Sequence, residues 1–414
     1  MLKKLKIIKQ FLKTKNFYDQ ESLVKHQQQA IVKLLSHLNS DFYPKSLQLE
    51  DYPVINKSIF MRNFDKINTV NITEQEAYQI AIEGEKTRNF SKKLNKITVG
   101  LSSGTSGNRG IFLVSEEESA LWAGYILKRM LPKPYCQKHK IAFFLRANSN
   151  LYESINSSLI SFVFYDLLIP IEKHIDSLNT FQPTIIVAPA QVLKLLALNQ
   201  ELTIKPKKII SVAEVLEDDD KVIIEQRFSN KVDQIYQCTE GCLAHTCEAG
   251  NLHLNEDIVY IEKAWIDKES GRFSPIITDF NRTSQPIIRY KLDDILILDE
   301  TPCPCGSVFT RIKKIEGRCD DILKMKTVAG EDYLLFPDFV RNTIISSSAK
   351  MEEYLIRKQK NELNIYLKPL SAKDEIEVAL LDLYQRHHLQ PLTHHYFAYQ
   401  PEQLDKKRRR VQEL

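Results

Sequence analysis

A β-rich run, Ile97–Leu101, leads directly into Ser102-Ser103-Gly104-Thr105-Ser106-Gly107-Asn108-Arg109-Gly110. Three glycines let such a loop turn tightly and approach a ligand. Its hydroxyls and free N–H groups can cradle phosphate oxygens. No Gly-Lys-Ser/Thr closes it, so it is not a Walker loop, and a solvated turn would share its composition. A second segment, Tyr236-Gln237-Cys238-Thr239-Glu240-Gly241, ends another strand-like run. A hydroxyl beside a carboxylate can contact phosphate and Mg²⁺ together, although Thr-Glu pairs are common. In Arg289-Tyr290-Lys291-Leu292-Asp293-Asp294 a carboxylate at a strand start could accept both hydroxyls of a ribose, or belong to a surface charge pair. Gly317-Arg318-Cys319-Asp320-Asp321 has the residue types of a hinge or an ordinary loop.

Cysteine spacing adds a fifth group. Cys247 and His253 stand as Cys-x5-His, and Pro302-Cys303-Pro304-Cys305-Gly306 follows as a stiff Cys-x-Cys turn. Three thiolates and an imidazole make a closed tetrahedral set suited to structural Zn²⁺, with Cys242 the nearest substitute. There are 7 cysteines, an odd count, and the lysines between Met1 and Lys15 interrupt any signal-peptide core. Both features point to a reducing, cytoplasmic setting.

These segments need elements to hold them. Leu23, Ala30, Val32, Leu34, Leu35 and Leu38 fit one helix face, and Glu74–Phe90 reads as a second helix. Ser115-x-x-Glu118 is a capping box opening a helix to about Leu131. Strands are expected at Ile141–Leu145, Thr184–Ala188, Lys208–Ala213 and Val232–Tyr236, with helices at Ala190–Asn199 and Asp218–Phe228 between them. That βαβα order predicts a parallel sheet covered by helices, with ligands at the carboxyl ends of its strands. Short strands follow at Asn251–Leu254, Ile258–Ile261, Pro275–Asp279 and Asp294–Leu298. After Gly317, strands at Met351–Arg357, Leu363–Leu367 and Tyr396–Tyr399 flank a helix over Ser371–Gln385. The expected architecture is α/β: a large N-terminal domain with helix-covered sheets, 1–317, plus a small α+β C-terminal domain, 318–414.

Composition excludes other classes. The 414 residues are 43% hydrophobic and 27% charged, with a net charge of +4, which is small for a nucleic-acid binder of this length. The basic run Lys406–Arg410 reads as a tail rather than a nucleic-acid surface. No apolar run approaches the roughly 18 residues that span a bilayer.

In this order and at these intervals, the four segments resemble the superfamily of acyl-CoA synthetases, adenylation domains and luciferases. Pro302-Cys303-Pro304-Cys305-Gly306, Arg311-Ile312 and Gly317-Arg318-x-Asp320-Asp321 resemble its phenylacetate–CoA ligase branch and the relatives that adenylate a deazaflavin cofactor. The resemblance implies ATP, Mg²⁺, a small carboxylic acid and a thiol acceptor, CoA or a carrier protein. It implies that Ser102, Ser103, Gly104, Thr105, Ser106 and Gly107 hold the phosphates of ATP, and that Ala213 and Glu214 lie beside adenine. Tyr236 would line the adenylate pocket, with Thr239 on phosphate and Glu240 on Mg²⁺. Asp294 would bind the ribose, assisted by Arg318, and Asp320 would be the hinge of a mobile small domain. Lys407, with Lys406 as fallback, would complete the adenylation site, while the Cys247, His253, Cys303, Cys305 cluster stays away from the nucleotide.

Two departures stand out. The superfamily's lysine near the end of the phosphate loop is replaced by Gly110, and the glycine after the Tyr of Tyr-Gly-x-Thr/Ser-Glu by Gln237. The expected reaction is activation of an acid as acyl-AMP with transfer to a thiol. AMP transfer to a cofactor and amide formation are alternatives within the same chemistry. A nucleotide-binding protein on a decayed fold is an alternative outside it. Phe143, Phe144 and Phe162 suit either an aromatic acyl pocket or the core.

Overall fold

A computed structural model describes residues 2–102, 109–145, 157–348, 350–401 and 407–414. Ser103, Gly104, Thr105, Ser106 and Gly107, and Lys406, lie outside them. The chain forms two compact units: Met1–Leu292 with Leu298–Lys314, and Asp293–Ile297 with Ile315–Leu414.

The first unit is built on a sheet whose parallel part runs in the order Ile160–Asp166, His139–Leu145, Ile185–Ala188, Lys208–Val212, Val232–Gln237. The three central strands, His139–Leu145, Ile185–Ala188 and Lys208–Val212, are almost wholly buried, and a strand covered on both faces needs no polar alternation. Cys242–Thr246 and Leu252–Leu254 then continue the sheet antiparallel. The hairpin Val259–Asp267 and Arg272–Asp279 takes Tyr290–Lys291 on its second strand. A separate three-stranded antiparallel sheet, Lys93–Leu94, Ile97–Leu101 and Ile111–Val114, carries the glycine-rich loop between its last two strands.

Helices cover the parallel part. The capping box at Ser115 forms as expected: Ser115 Oγ accepts the Glu118 N–H, and Glu118 Oε2 accepts the Ser115 N–H at 2.6 Å. Phe143 and Phe162 pack 5.4 Å apart in the core with Tyr125 and Val187, while Phe144, fully buried, stacks on Tyr165.

The second unit is α+β. Its four-stranded sheet has the order Thr393–Ala398, Glu362–Lys368, Glu353–Gln359, Val411–Glu413, with helices Pro337–Ser347 and Lys373–Arg386 packed on Tyr354, Ile356 and Ile365. Several boundaries differ from the sequence expectation. The Lys208 strand stops at Val212, because Ala213 turns to the left-handed region at φ 67. The strand expected at Tyr396–Tyr399 is Thr393–Ala398, paired parallel with Glu362–Lys368. The strand Val411–Glu413 carries no periodic signal of its own and forms because its backbone pairs with Ile356–Lys358.

Candidate active site

The carboxyl ends of the parallel strands collect the first set of residues. Ala213 and Glu214 follow Lys208–Val212, and Tyr236 is the penultimate residue of the next strand, which is in register with it at Val212 and Ile235. The Glu214 N–H donates to Val212 O at 2.8 Å, closing a three-residue turn around Ala213. A non-glycine residue held at φ 67 is strained, and such strain persists where the surroundings enforce it. Here the Glu214 carboxylate accepts the Gln191 N–H, at 3.2 Å, in the first turn of helix Ala190–Leu198.

Thr239 and Glu240 sit at the tip of the turn between Val232–Gln237 and Cys242–Thr246, closed by Cys238 N–H to Gly241 O at 3.0 Å. Thr239 Oγ1 donates to Glu240 Oε2 at 2.8 Å, and the Tyr290 hydroxyl donates to Glu240 Oε1 at 3.2 Å. A carboxylate held by two hydroxyls is of the type that could hold a hard cation such as Mg²⁺.

The root of the glycine-rich loop lies in the same unit. Ser102 N–H donates to Gly110 O at 2.8 Å, and Gly110 N–H donates to Ser102 Oγ at 2.7 Å, so the two ends of the loop are pinned together. Arg109 reaches back to Ser102 O at 3.0 Å and pairs with Glu85 at 2.6 Å.

Sequence reasoning passed over two residues here. Lys57 Nζ lies 3.4 Å from Ser102 Oγ. Arg282 donates to Thr239 O at 3.1 Å and to Leu113 O at 3.2 Å, so it ties the strand leaving the loop to the Thr-Glu turn. Gln285 completes the tie, accepting the Leu113 N–H at 3.0 Å and donating to Ile111 O at 3.1 Å. Buried Glu118 holds the same segment through the N–H groups of Thr283 and Ser284. Burial works against its charge, but Arg282 and the hydrogen bonds from Ser115 and Ser284 win, and its carboxyl is lowered. Asp279 shows the reverse: burial, only partly offset by Arg282, pushes it up to about 6.

One short contact explains how Lys57 and Tyr290 are placed. Ile55 bridges Tyr290, with Ile55 N–H to Arg289 O at 3.1 Å and Lys291 N–H to Ile55 O at 2.7 Å. Lys57 follows two residues later at the start of helix Lys57–Arg62. Arg289 itself is structural, paired with Glu262 at 2.8 Å and donating to Tyr52 O at 3.0 Å.

In the second unit, Arg318 is surrounded by carboxylates: Asp293 at 3.4 Å and Asp320 at 3.5 Å, with Asp294 and Asp321 also in electrostatic range. Burial disfavours its charge, yet the four acids raise its pKa. Asp320 also pairs with Arg409 at 2.9 Å, and Arg409 Nε donates to buried Asp321 at 2.7 Å. Arg409 and Arg410 are therefore docked: Arg410 is buried over the Tyr354 ring at 4.7 Å, and its carbonyl accepts the Ile356 N–H at 2.7 Å. Lys407 is exposed.

The cysteine cluster assembles from all four expected residues, whose ligand atoms lie within 4.8 Å of one another. Cys247 Sγ is 3.6 Å from Cys303 Sγ, and Cys305 Sγ is 3.6 Å from His253 Nε2. Tetrahedral zinc requires about 3.8 Å between thiolates and about 3.6 Å between thiolate and imidazole. His253 Nδ1 is 2.9 Å from Phe309 O, which turns Nε2 toward the thiols as an acceptor, and Asn251 Nδ2 donates to Cys303 Sγ at 3.2 Å. The donor set and its supporting bonds fit Zn²⁺. Cys242 is buried elsewhere, against Asn255.

No family model matches the chain. Protein CapK of Staphylococcus aureus is 25% identical over 370 residues, 81% of this chain and 78% of that protein. Among solved structures, 2-hydroxyisobutyryl-CoA ligase in the postadenylation state with R3-HIB-AMP has a TM-score of 0.65 at 17% identity, covering 95% of this chain and 89% of that one. ATP-bound MatB from Rhodopseudomonas palustris has a TM-score of 0.54 at 12% identity, covering 78% of this chain and 67% of that one. The chain has the fold of the adenylate-forming ligases.

Proposed function

We propose that this protein uses ATP to activate a small carboxylic acid as acyl-AMP and then passes the acyl group to a thiol, CoA or a carrier. The observation that carries this reading is the Arg282 tie, which fixes the strand leaving the phosphate loop to the Thr239-Glu240 turn. The strand that leaves the loop and the turn that carries the proposed cation ligand, from two different sheets, are thereby tied together. A carboxylate oxygen attacks the α-phosphorus, the bond to pyrophosphate breaks, and the mixed anhydride forms. The thiol then adds to its carbonyl and AMP departs with the bridging oxygen.

In this reading Ser102 to Gly107 and Lys57 hold the phosphates, and Thr239 hydrogen-bonds a phosphate oxygen. Glu240 would hold Mg²⁺, which supplies positive charge to the phosphate oxygens. Tyr236, Ala213 and Glu214 bound the adenylate, and Asp294 takes the ribose hydroxyls with Arg318 beside it. Lys407 neutralises charge that develops in the first step. Asp320 is the pivot of a small domain that serves the two steps in turn, and Arg409 links that pivot to the tail carrying Lys407. Zn²⁺ at Cys247, His253, Cys303 and Cys305 has a structural role. The proposed setting is cytoplasmic, where cysteine thiols remain reduced.

The test is to supply ATP, Mg²⁺ and an acid labelled with ¹⁸O in its carboxylate, with and without CoA, an amine or a hydroxylated cofactor. Label in released AMP only when a thiol is present supports the proposal. Transfer of unlabelled AMP onto the cofactor would replace it with nucleotidyl transfer.

A further inference from the structure

The helix Leu2–Lys13 has two opposed faces. On the inner face Ile7 packs with Ala120 and Ala123 of helix Glu116–Met130. The approach is close: a Cβ on Gly124 would lie 2.4 Å from Ile7 O and 2.8 Å from Gln10 Cβ. Phe11 adds an edge contact to Tyr135 at 5.0 Å, with Lys128 over both rings. These contacts fix the helix about its own axis and so decide what faces outward.

What faces outward is apolar. Leu5, Ile8 and Leu12 are 58%, 54% and 73% exposed. At helical spacing they fall within an arc of about 60°, over roughly 10 Å of helix. Burying them by rotation would break the packing at Gly124. Exposed Lys9 and Lys13 border the stripe on one side and exposed Lys4 on the other, and exposed Lys15 follows just beyond the helix. Lys6 forms a surface ion pair with Glu117 at 3.0 Å, and Lys3 lies near Glu116. No acidic residue occurs before Asp19.

An apolar stripe edged by lysines suits a surface that is negatively charged outside and hydrocarbon beneath. Lysine stems can reach the headgroups while the aliphatic side chains enter the boundary below. A nucleic acid would use the charges but leave the stripe in water. A second copy of the chain would bring a second row of lysines against the first. Among the described residues no helix is long and apolar enough to cross a membrane, so the fitting mode is attachment in the interface plane. We infer that helix Leu2–Lys13 docks this protein reversibly on an anionic lipid surface. The inference does not depend on the proposed reaction.

Flotation of the full chain with phosphatidylcholine vesicles, with and without phosphatidylserine, tests it. Binding is expected only to the serine-containing vesicles and is expected to weaken steeply with salt. The triple variant Leu5→Ser, Ile8→Ser, Leu12→Ser should lose about ten-fold or more in partition while its circular dichroism and melting stay unchanged. Lys4→Gln, Lys9→Gln, Lys13→Gln should lose about five-fold per charge. Absence of binding to either vesicle would overturn the inference, as would binding that the triple variant retains. A wild-type dimer that the triple variant abolishes would assign the face to a second copy instead. Salt-sensitive binding to an RNA oligonucleotide, without vesicle binding, would assign it to nucleic acid.

Discussion

Lys57 and Ser102 are brought within 3.4 Å from positions 45 residues apart. The ammonium stands at the root of the glycine-rich loop, which has no lysine of its own, and we expect it to supply charge toward the proposed phosphates. Lys57→Ala should slow acid-dependent pyrophosphate exchange by about 10²-fold, with Lys57→Arg recovering part of it. An unchanged rate in the alanine variant would remove Lys57 from the site. Asp279 gives a prediction of a different kind. Its carboxyl is pushed up to about 6 in the fold, against an ordinary value of 3.8. Between these pH values the folded state holds more protons than the unfolded one, so the group's contribution makes stability fall as pH rises. The cost is complete above about pH 6 and absent below about pH 4. Asp279→Asn should remove that slope and stabilise the protein at pH 7 by at most about 3 kcal/mol, measured by denaturant titration across this range. Thr239 and Glu240 could be recognised in the sequence because they fall within a short pattern. Lys57 and Arg282 could not: each is a single cation far along the chain from what it binds, and locally it looks like any solvated charge.

Short turns present the cysteine sulfurs. Gly250 at φ 83 and Gly306 at φ 74 let the backbone reverse beside Cys247 and after Cys305, with Gly306 N–H on Cys303 O at 3.0 Å. Protein purified without chelator should carry about one zinc per chain by elemental analysis. Cys305→Ser should lose that zinc and lower the melting temperature by at least about 5 °C. Metal-free wild-type protein with unchanged melting would end the zinc assignment. At this scale the sequence was informative wherever an element has its own periodicity or cap, as with the Ser115 box and the parallel strands. It was silent where tertiary partners decide. Cys242–Thr246 is buried at every position and mixes Cys, Leu, Ala, His and Thr, so no alternation marks it. Ala213 would pass for a strand residue until the Glu214 contact to helix Ala190–Leu198 is seen to turn it.

Across the whole molecule, the proposed site residues divide between the units. Ser102, Ala213, Glu214, Tyr236, Thr239 and Glu240 belong to the first, and Asp294, Arg318, Asp320 and Lys407 to the second. That division suits a two-step reaction in which the small domain changes its role at Asp320. Asp320→Pro fixes φ near −65° and should slow one half-reaction far more than the other when each is assayed alone. Equal wild-type rates for both would remove the pivot. The alternation of strands and helices made the α/β fold class legible in the sequence. The anchoring of the tail was not, because Arg409 and Arg410 are held by Asp321 and Tyr354, which lie far earlier in the chain. The proposed activity itself rests most directly on exchange of labelled pyrophosphate into ATP, measured over a panel of aryl and aliphatic acids with wild-type protein and Glu240→Gln. Exchange should require Mg²⁺ and one class of acid, and should fall by about 10²-fold or more in a Glu240→Gln variant that keeps its circular dichroism spectrum. Exchange at the wild-type rate in that variant, or none with any acid in the wild type, would contradict acyl-adenylate formation at this site.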